Sequence, residues 1–209
     1  MKQRRFFWKC LFFTLTFFSF FLNIRGLDDD SWEKQVNALQ PPGQVLDAIG
    51  LKPGMVAGEI GAGRGRYTVC LARCVGPAGK IYANDVDAAS LAYLSRRCER
   101  DGIKNIVIVQ GQEYDPLLPV ASLDLAFMIN TFHHLREPFK MLGNIIPSLK
   151  PGATLAIVER DPGKIQVSRN EATKPEKLIR LARQAGWELL RLDSFLKNDT
   201  LYIFKVKRR

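Results

Sequence analysis

Histidine, cysteine and long apolar stretches are scarce in this sequence, and each scarcity removes a class of function. Two histidines, His133 and His134, among 209 residues exclude a multi-histidine metal centre. Four cysteines, Cys10, Cys70, Cys74 and Cys98, the first inside an apolar leader, make no disulfide framework. Cys70 and Cys74 stand four apart on an expected helix with no further ligand at metal spacing, so they read as small buried apolar thiols. The apolar run Cys10–Leu22 spans thirteen residues, short of the roughly 20 that a full membrane span needs. P-loop lysine and Cys–His nucleophile signatures are missing too.

Charge is unevenly placed. Of the 31 Lys and Arg, five (Lys2, Arg4, Arg5, Lys9 and Arg25) precede Leu27, and none of the 21 Asp and Glu does. The body therefore carries 26 cations against 21 anions, a modest excess without the interleaved aromatics of a base-stacking surface, which argues against nucleic acid as a partner. The cationic head, the Phe-rich run and the following Asn23-Ile24-Arg25-Gly26 have the n-region and h-region of a signal peptide. Residues 1–26 are thus expected to be a signal peptide or an N-terminal membrane anchor, with membrane association through residues 10–24 if uncleaved. Export or anchoring is the expected localisation and a cytoplasmic domain the alternative. Residues 27–53 are expected to form a helical segment, and 54–209 the main domain.

From Ser31 onward, short β-rich runs alternate with longer helical ones, the pattern of a mostly parallel sheet covered by helices. The strands are expected at Met55–Ile60, Lys80–Asp85, Ile106–Gln110, Leu123–Ile129, Thr154–Glu159, Trp187–Leu192 and Leu201–Val206. Helices are expected at Tyr67–Val75, Ala88–Asp101, Pro138–Leu149 and Lys174–Ala185, with Gly76, Gly102 and Gly186 where helices stop. Lys52-Pro53-Gly54 and Lys150-Pro151-Gly152 read as turns feeding strands. Asp193–Thr200 is too short for a helical crossover, so the last two strands should pair antiparallel. The polar stretch Asp161–Thr173 reads as a loop.

The densest chemical signal is Glu59-Ile60-Gly61-Ala62-Gly63-Arg64-Gly65-Arg66-Tyr67, which follows an apolar strand and opens a helix. Glycine admits close ligand approach and positive φ. A dinucleotide fingerprint needs G-x-G-x-x-G, and the sixth position here is Arg66, so a pyrophosphate site is disfavoured. Asp85 follows Gly65 by 20 residues at a strand's carboxyl end, where a carboxylate can accept two ribose hydroxyls. The alternative for Asp85 is a helix N-terminal carboxylate, a role Asp87 fills as well.

On these residues the stretch from about Leu46 to Pro162 resembles class I S-adenosylmethionine-dependent methyltransferases, in particular the branch of ubiquinone and menaquinone C-methyltransferases. The resemblance implies a three-layer, Rossmann-like α/β fold with a seven-stranded, mostly parallel sheet ending in an antiparallel hairpin. It implies S-adenosyl-L-methionine as cofactor, held by Glu59, Gly61, Ala62, Gly63, Gly65, Asp85, Val86, Gln112, Glu113 and Asn130. In that branch the third strand ends in a Gly-Asp pair whose carboxylate contacts adenine; Gly111-Gln112-Glu113 departs from it at Gln112, which loses charge assistance.

The stretch Ser122-Leu123-Asp124-Leu125-Ala126 through Asn130-Thr131-Phe132-His133-His134-Leu135 is similar to the same branch. One histidine of the pair, His133 ahead of His134, is a candidate to orient or deprotonate an acceptor, with helix capping or packing as the alternative. Asp161 is either an acceptor contact or a turn residue. Residues 31–50, with Trp32, Val36, Leu39 and a Pro41-Pro42-Gly43 turn, either close over the cofactor, as family precedent favours, or pack on the sheet. The expected reaction is in-line transfer of a methyl group to a small-molecule or lipid-like acceptor. The competing expectation is an exported or membrane-tethered binding protein that keeps the fold without catalysis.

Overall fold

The computed structural model describes residues 31–166 and 171–207. The chain divides into two units, residues 1–39 and 40–209. Of the first, residues 31–39 are described and are helical. The expected leader, residues 1–26, lies outside the described residues, as do residues 167–170 of the polar stretch. No helix among the described residues is long and apolar enough to cross a membrane.

The second unit alternates strand and helix along the chain. Helix α1 (Pro42–Ala48) leads into strand β1 (Val56–Ile60), α2 (Thr68–Val75), β2 (Lys80–Asp85), α3 (Ala88–Asp101) and β3 (Ile106–Gln110). Then come β4 (Leu123–Ile129), α4 (Pro138–Ile145), β5 (Leu149–Arg160), α5 (Pro175–Gln184), β6 (Trp187–Asp193) and β7 (Asp199–Val206). The sheet order is β3-β2-β1-β4-β5-β7-β6. Strands β1 to β5 are parallel, and β7 runs antiparallel to both β5 and β6. This is the expected mixed, helix-covered sheet. The hairpin differs in one respect from a simple addition at the edge: β6 lies outermost and β7 returns inside it.

Central strands that bury both faces need apolar residues at successive positions rather than alternating ones. Strand β4 meets this need, with every residue but Asp124 buried. Its alternate side chains feed two cores. Leu125, Phe127 and Ile129 pack with Val45, Tyr67 and Leu71 from α1 and the start of α2. Ala126 and Met128 pack with Met141, Leu142, Leu178 and Trp187 beneath α4 and α5. The Pro41-Pro42-Gly43 segment is not a turn. Pro41 is the N-cap of α1 and Pro42 opens it, where a missing N–H costs nothing, and Val45 and Leu46 bury its inner face in the core.

Two other boundaries differ from expectation. Lys150-Pro151-Gly152 lies inside β5, not ahead of it. Leu123 pairs with Leu149 and Leu125 with Thr154, so residues 150–153 bulge opposite Asp124 alone, with Gly152 at φ +84°. The bulge returns Lys150 to the sheet edge, where its Nζ donates to both Asp124 oxygens at 2.8 and 2.9 Å. Helix α4 stops at Ile145 and continues as a 3-10 turn over Ile146–Ser148, because Pro147 has no N–H with which to extend an α-helix.

Winding reverses between β1 and β4. The chain proceeds from β1 outward through β2 and β3, then returns to start β4 on the other side of β1 and moves outward through β5. Loops leaving the carboxyl ends of β1 and β4 therefore diverge, and the crevice between them is where such sheets bind ligands.

Trp187 shows what secures the α4–α5 face. Its ring is fully buried, and its Nε1 donates to the Leu142 carbonyl at 3.0 Å, in the last turn of α4 where carbonyls run out of helical partners. Trp187→Ala is expected to lower unfolding free energy in urea by about 3–5 kcal/mol. Trp187→Phe is expected to cost about 1–3 kcal/mol, chiefly through the stranded carbonyl.

Candidate active site

The glycine loop is held from two sides. The Gly61 and Ala62 amides both donate to the Asn84 carbonyl at the end of β2, each at 2.9 Å, and the Gly63 amide donates to Asp85 Oδ2 at 2.7 Å. Gly61 sits at φ +79°, and a Cβ there would lie 2.3 Å from the Thr131 side chain at the end of β4. Conformation and space both require glycine at this position.

Asp85 is oriented before any ligand arrives. Besides the Gly63 amide, it accepts from the Asp87 amide through Oδ1 at 3.0 Å. Asp87 takes the capping role: its carboxylate accepts from the Ala89 and Ser90 amides and from the Ser90 hydroxyl, which holds its carboxyl below the usual carboxylate range. The division leaves Asp85 free to face the crevice at the N-terminal end of α3.

That crevice is a cleft of about 460 Å³, within the range of small-molecule sites. Six of the residues singled out from sequence line it: Gly61, Asp85, Val86, Glu113, Asn130 and His134. Asn84, Thr131, Ile60, Ile129, Leu135, Arg136 and Met141 complete the wall. Glu59, Ala62, Gly63, Gly65, Gln112 and His133 are not on it. Ala62, Gly63 and Gly65 form the loop behind Gly61. Gln112 is tied through its backbone N–H to the Asp115 carbonyl at 2.7 Å, and Asn84 Nδ2, donating to the Pro116 carbonyl at 2.8 Å, secures the same loop.

Asn130 carries the strongest local signature of a ligand contact. It adopts φ +51°, a left-handed conformation that asparagine tolerates better than most residues. Its backbone amide donates to the Val158 carbonyl at 2.9 Å, while its buried side-chain oxygen has no partner among the described residues. A buried acceptor left unmatched costs free energy that a donor from a ligand would recover. At the cleft mouth Arg136 and Glu113 pair at 3.0 Å, both exposed, an arrangement that contributes little stability.

The two histidines divide sharply. His133 Nδ1 lies 2.6 Å from Glu159 Oε1, with side-chain exposures of 4% and 0%. Unlike His133, His134 lines the cleft. Its imidazole is held below the ordinary value by partial burial first and by the neighbouring His133 second, which keeps it a proton acceptor at neutral pH. Asp161 accepts from Thr200 Oγ1 at 2.8 Å and from the Gly163 amide at 2.9 Å, the arrangement of a turn residue. Among the wall residues not singled out from sequence, Asn84 had a visible cue: a polar side chain one position before the acidic residue of an apolar strand. Leu135, Arg136 and Met141 had none beyond proximity to the histidines.

Glu59 is buried beside the cleft instead of within it, and accepts from Thr68 Oγ1 at 2.5 Å. Burial pushes its carboxyl up to about 8, against the opposing pull of the Thr68 hydroxyl and Arg66.

Comparison with known proteins agrees with this geometry. The profile of the methyltransferase domain family matches residues 58–152. The crystal structure of an S-adenosylmethionine-dependent methyltransferase from Aquifex aeolicus is 29% identical, covers 83% of this chain and 96% of its own, and superposes with a TM-score of 0.76. A protein-L-isoaspartate O-methyltransferase from Pyrococcus horikoshii is 23% identical over 157 residues, which cover 68% of this chain and 66% of that one. The [4+2]-cyclase SpnF shares the fold at 16% identity, with a TM-score of 0.69 over 81% of this chain and 82% of its own. Against two further curated relatives, the chain spans 33% and 24% of their length.

Because the folded state keeps Glu59 protonated over a range where the unfolded chain would release the proton, this residue favours folding most below about pH 4.5 and progressively less as pH rises toward about 8. Glu59→Gln removes that dependence. Its stability advantage over the parent should widen from pH 5 to pH 8 in urea titrations, and parallel pH profiles would contradict the assignment. Residues 58–152 thus match the methyltransferase domain family, and the chain has the fold of an S-adenosylmethionine-dependent methyltransferase.

Proposed function

We propose that this chain is an active methyltransferase, acting on a small-molecule or lipid-like acceptor in the cleft between β1, β2 and β4. The observation that carries the reading is the cleft itself. A pre-oriented carboxylate, Asp85, stands on one wall; an imidazole, His134, and two apolar side chains, Leu135 and Met141, stand on the other.

The cofactor, when bound, supplies a methyl group already activated on a sulfonium sulfur. The residues present suit it. Asp85 would accept the ribose hydroxyls, and the glycine loop lets a ligand come close to the Gly61 backbone. The unpartnered Asn130 oxygen would accept from the amino group of the methionine moiety. Val86 and Glu113 would border the adenine, with Gln112 in the loop beside them. Leu135 and Met141 exclude water from the reacting end. His134 is placed to take a proton from an acceptor that must lose one. The cationic head and apolar run of residues 1–26 support placement of the domain at a membrane, by export or by an uncleaved anchor, where a lipid-like acceptor would be found.

Calorimetric titration of the full chain with S-adenosylmethionine and with its demethylated product tests the site. Micromolar binding is expected. Asp85→Ala should weaken it at least tenfold, since hydrogen bonds to a charged group contribute about 1.5–3 kcal/mol each and 1.4 kcal/mol is a factor of ten. A folded protein that binds neither compound overturns the proposal.

A further inference from the structure

The Glu159–His133 pair takes no part in the cofactor contacts above, and its position asks for an account. Asn130 donates its amide to Val158, so Glu159, the next residue on β5, lies beside the end of β4, under the 3-10 turn Phe132–His134. Phe132 is buried and anchors that turn in the α4–α5 core. Removing a carboxylate and an imidazole from water this completely is expensive, and an apolar pair of similar volume would serve stability as well or better. Stability is also not what the geometry optimises, because the second Glu159 oxygen, Oε2, is buried without a partner among the described residues. What the pair does touch is the cleft histidine: the His133 and His134 rings lie 4.0 Å apart, tilted by 46°.

We propose that Glu159 and His133 are positioning residues for His134. The Glu159 carboxylate fixes the His133 ring with a protonated Nδ1 turned toward the core, and the fixed ring braces His134 toward the cleft in its proton-accepting form. The inference rests on the reading of the cleft as a methyl-transfer site. In that reaction the acceptor gives its proton to a free His134 nitrogen while its electron pair forms the new bond to the methyl carbon. The carbon–sulfur bond breaks with its pair left on sulfur, so a sulfonium and a neutral imidazole become a thioether and an imidazolium, and charge balances.

The groups that face His134 are few. His133 is on its own turn, and Glu159 and Arg160 come from β5, Glu159 favouring the protonated form and His133 and Arg160 opposing it. Arg136 follows in the same loop, and Asp85 and Glu113 line the cleft with it. Of these groups His133 is the one whose ring packs against that of His134, and it is the one that Glu159 holds.

The experiment needs no identified acceptor. With two histidines in the chain, nitrogen-15 NMR of the imidazoles gives two ring systems, assigned with His134→Gln. Spectra are recorded across pH 5–8 on the full chain and on His133→Gln, Glu159→Leu and Glu159→Gln, each checked for folding by circular dichroism. Expected for the parent is one ring, His133, with a protonated Nδ1, and a second that titrates below the ordinary midpoint. His133→Gln should raise the His134 midpoint by about half a pH unit or more. Glu159→Leu should turn His133 into a mixture of tautomers, and Glu159→Gln, whose amide oxygen still accepts, should retain the single one.

A His134 midpoint that stays within about 0.2 pH units of the parent in folded His133→Gln, or mixed His133 tautomers in the parent, overturns the proposal. Cofactor titration on the same samples separates this result from the fate of the methyltransferase reading. The variants should bind S-adenosylmethionine within about threefold of the parent, a difference under 1 kcal/mol. A parent that binds none refutes the enzyme reading without affecting the imidazole spectra.

Discussion

Gly61 passes so close to Thr131 that no side chain fits between them, and most of the site follows from that approach. With the β1 loop pressed against the end of β4, its amides have one place to go: the Asn84 carbonyl and the Asp85 carboxylate at the end of β2. Three strands far apart in sequence thereby present their carboxyl ends to a single volume. The sheet's reversal of winding opens the crevice, and the glycine contact decides how wide it is and which side chains border it.

Polar burial in this protein is lopsided. Glu59, Asn84, Glu159, Asp199 and Thr200 are all buried, and all lie at or next to the same edge of the sheet, where β1, β2 and β5 end and β7 begins. Thr68 and Thr173, also buried, precede or open helices at that edge. Among the described residues the opposite edge has little of the kind beyond Ser148, whose hydroxyl donates to the Leu118 carbonyl. Desolvated carboxylates and amides cost stability wherever they are placed. Concentrating them beside the cleft confines the cost to one end of the sheet and leaves the rest of the core, from Val45 to Phe204, free to pack on shape alone.

Features governed by local rules were legible in the sequence. Strands Lys80–Asp85, Ile106–Gln110 and Leu123–Ile129 and helix Ala88–Asp101 occur where periodicity and caps placed them, and Asp87 caps as its position before Ala88 implies. Features that depend on a distant partner were not legible. The bulge at Lys150–Gly152 exists because Asp124 and Leu123 on another strand set its register, whereas in isolation Lys-Pro-Gly reads as a turn. The histidine pair shows the same limit. Adjacent residues in a 3-10 turn point in different directions, and which of the two goes inward is settled by Glu159, 26 residues away. Gly61 and Asp85 were legible because glycine spacing and a strand-terminal acid are local marks; Arg136 and Met141 enter the wall only through tertiary packing.

The inward return of β7 has a consequence for how the sheet is assembled. Among the described residues strand β6 has no neighbour in the sheet other than β7, yet a ribosome delivers β6 first. Until residues 199–206 have followed, Trp187–Asp193 has no ladder to join, and the free edge of β5, buried in the finished sheet, remains open. Such an edge is a template for any extended chain nearby. The interval between synthesis of β5 and arrival of β7 is therefore when a nascent chain of this topology is most open to mispairing. Its closure depends on the strand made last among the seven.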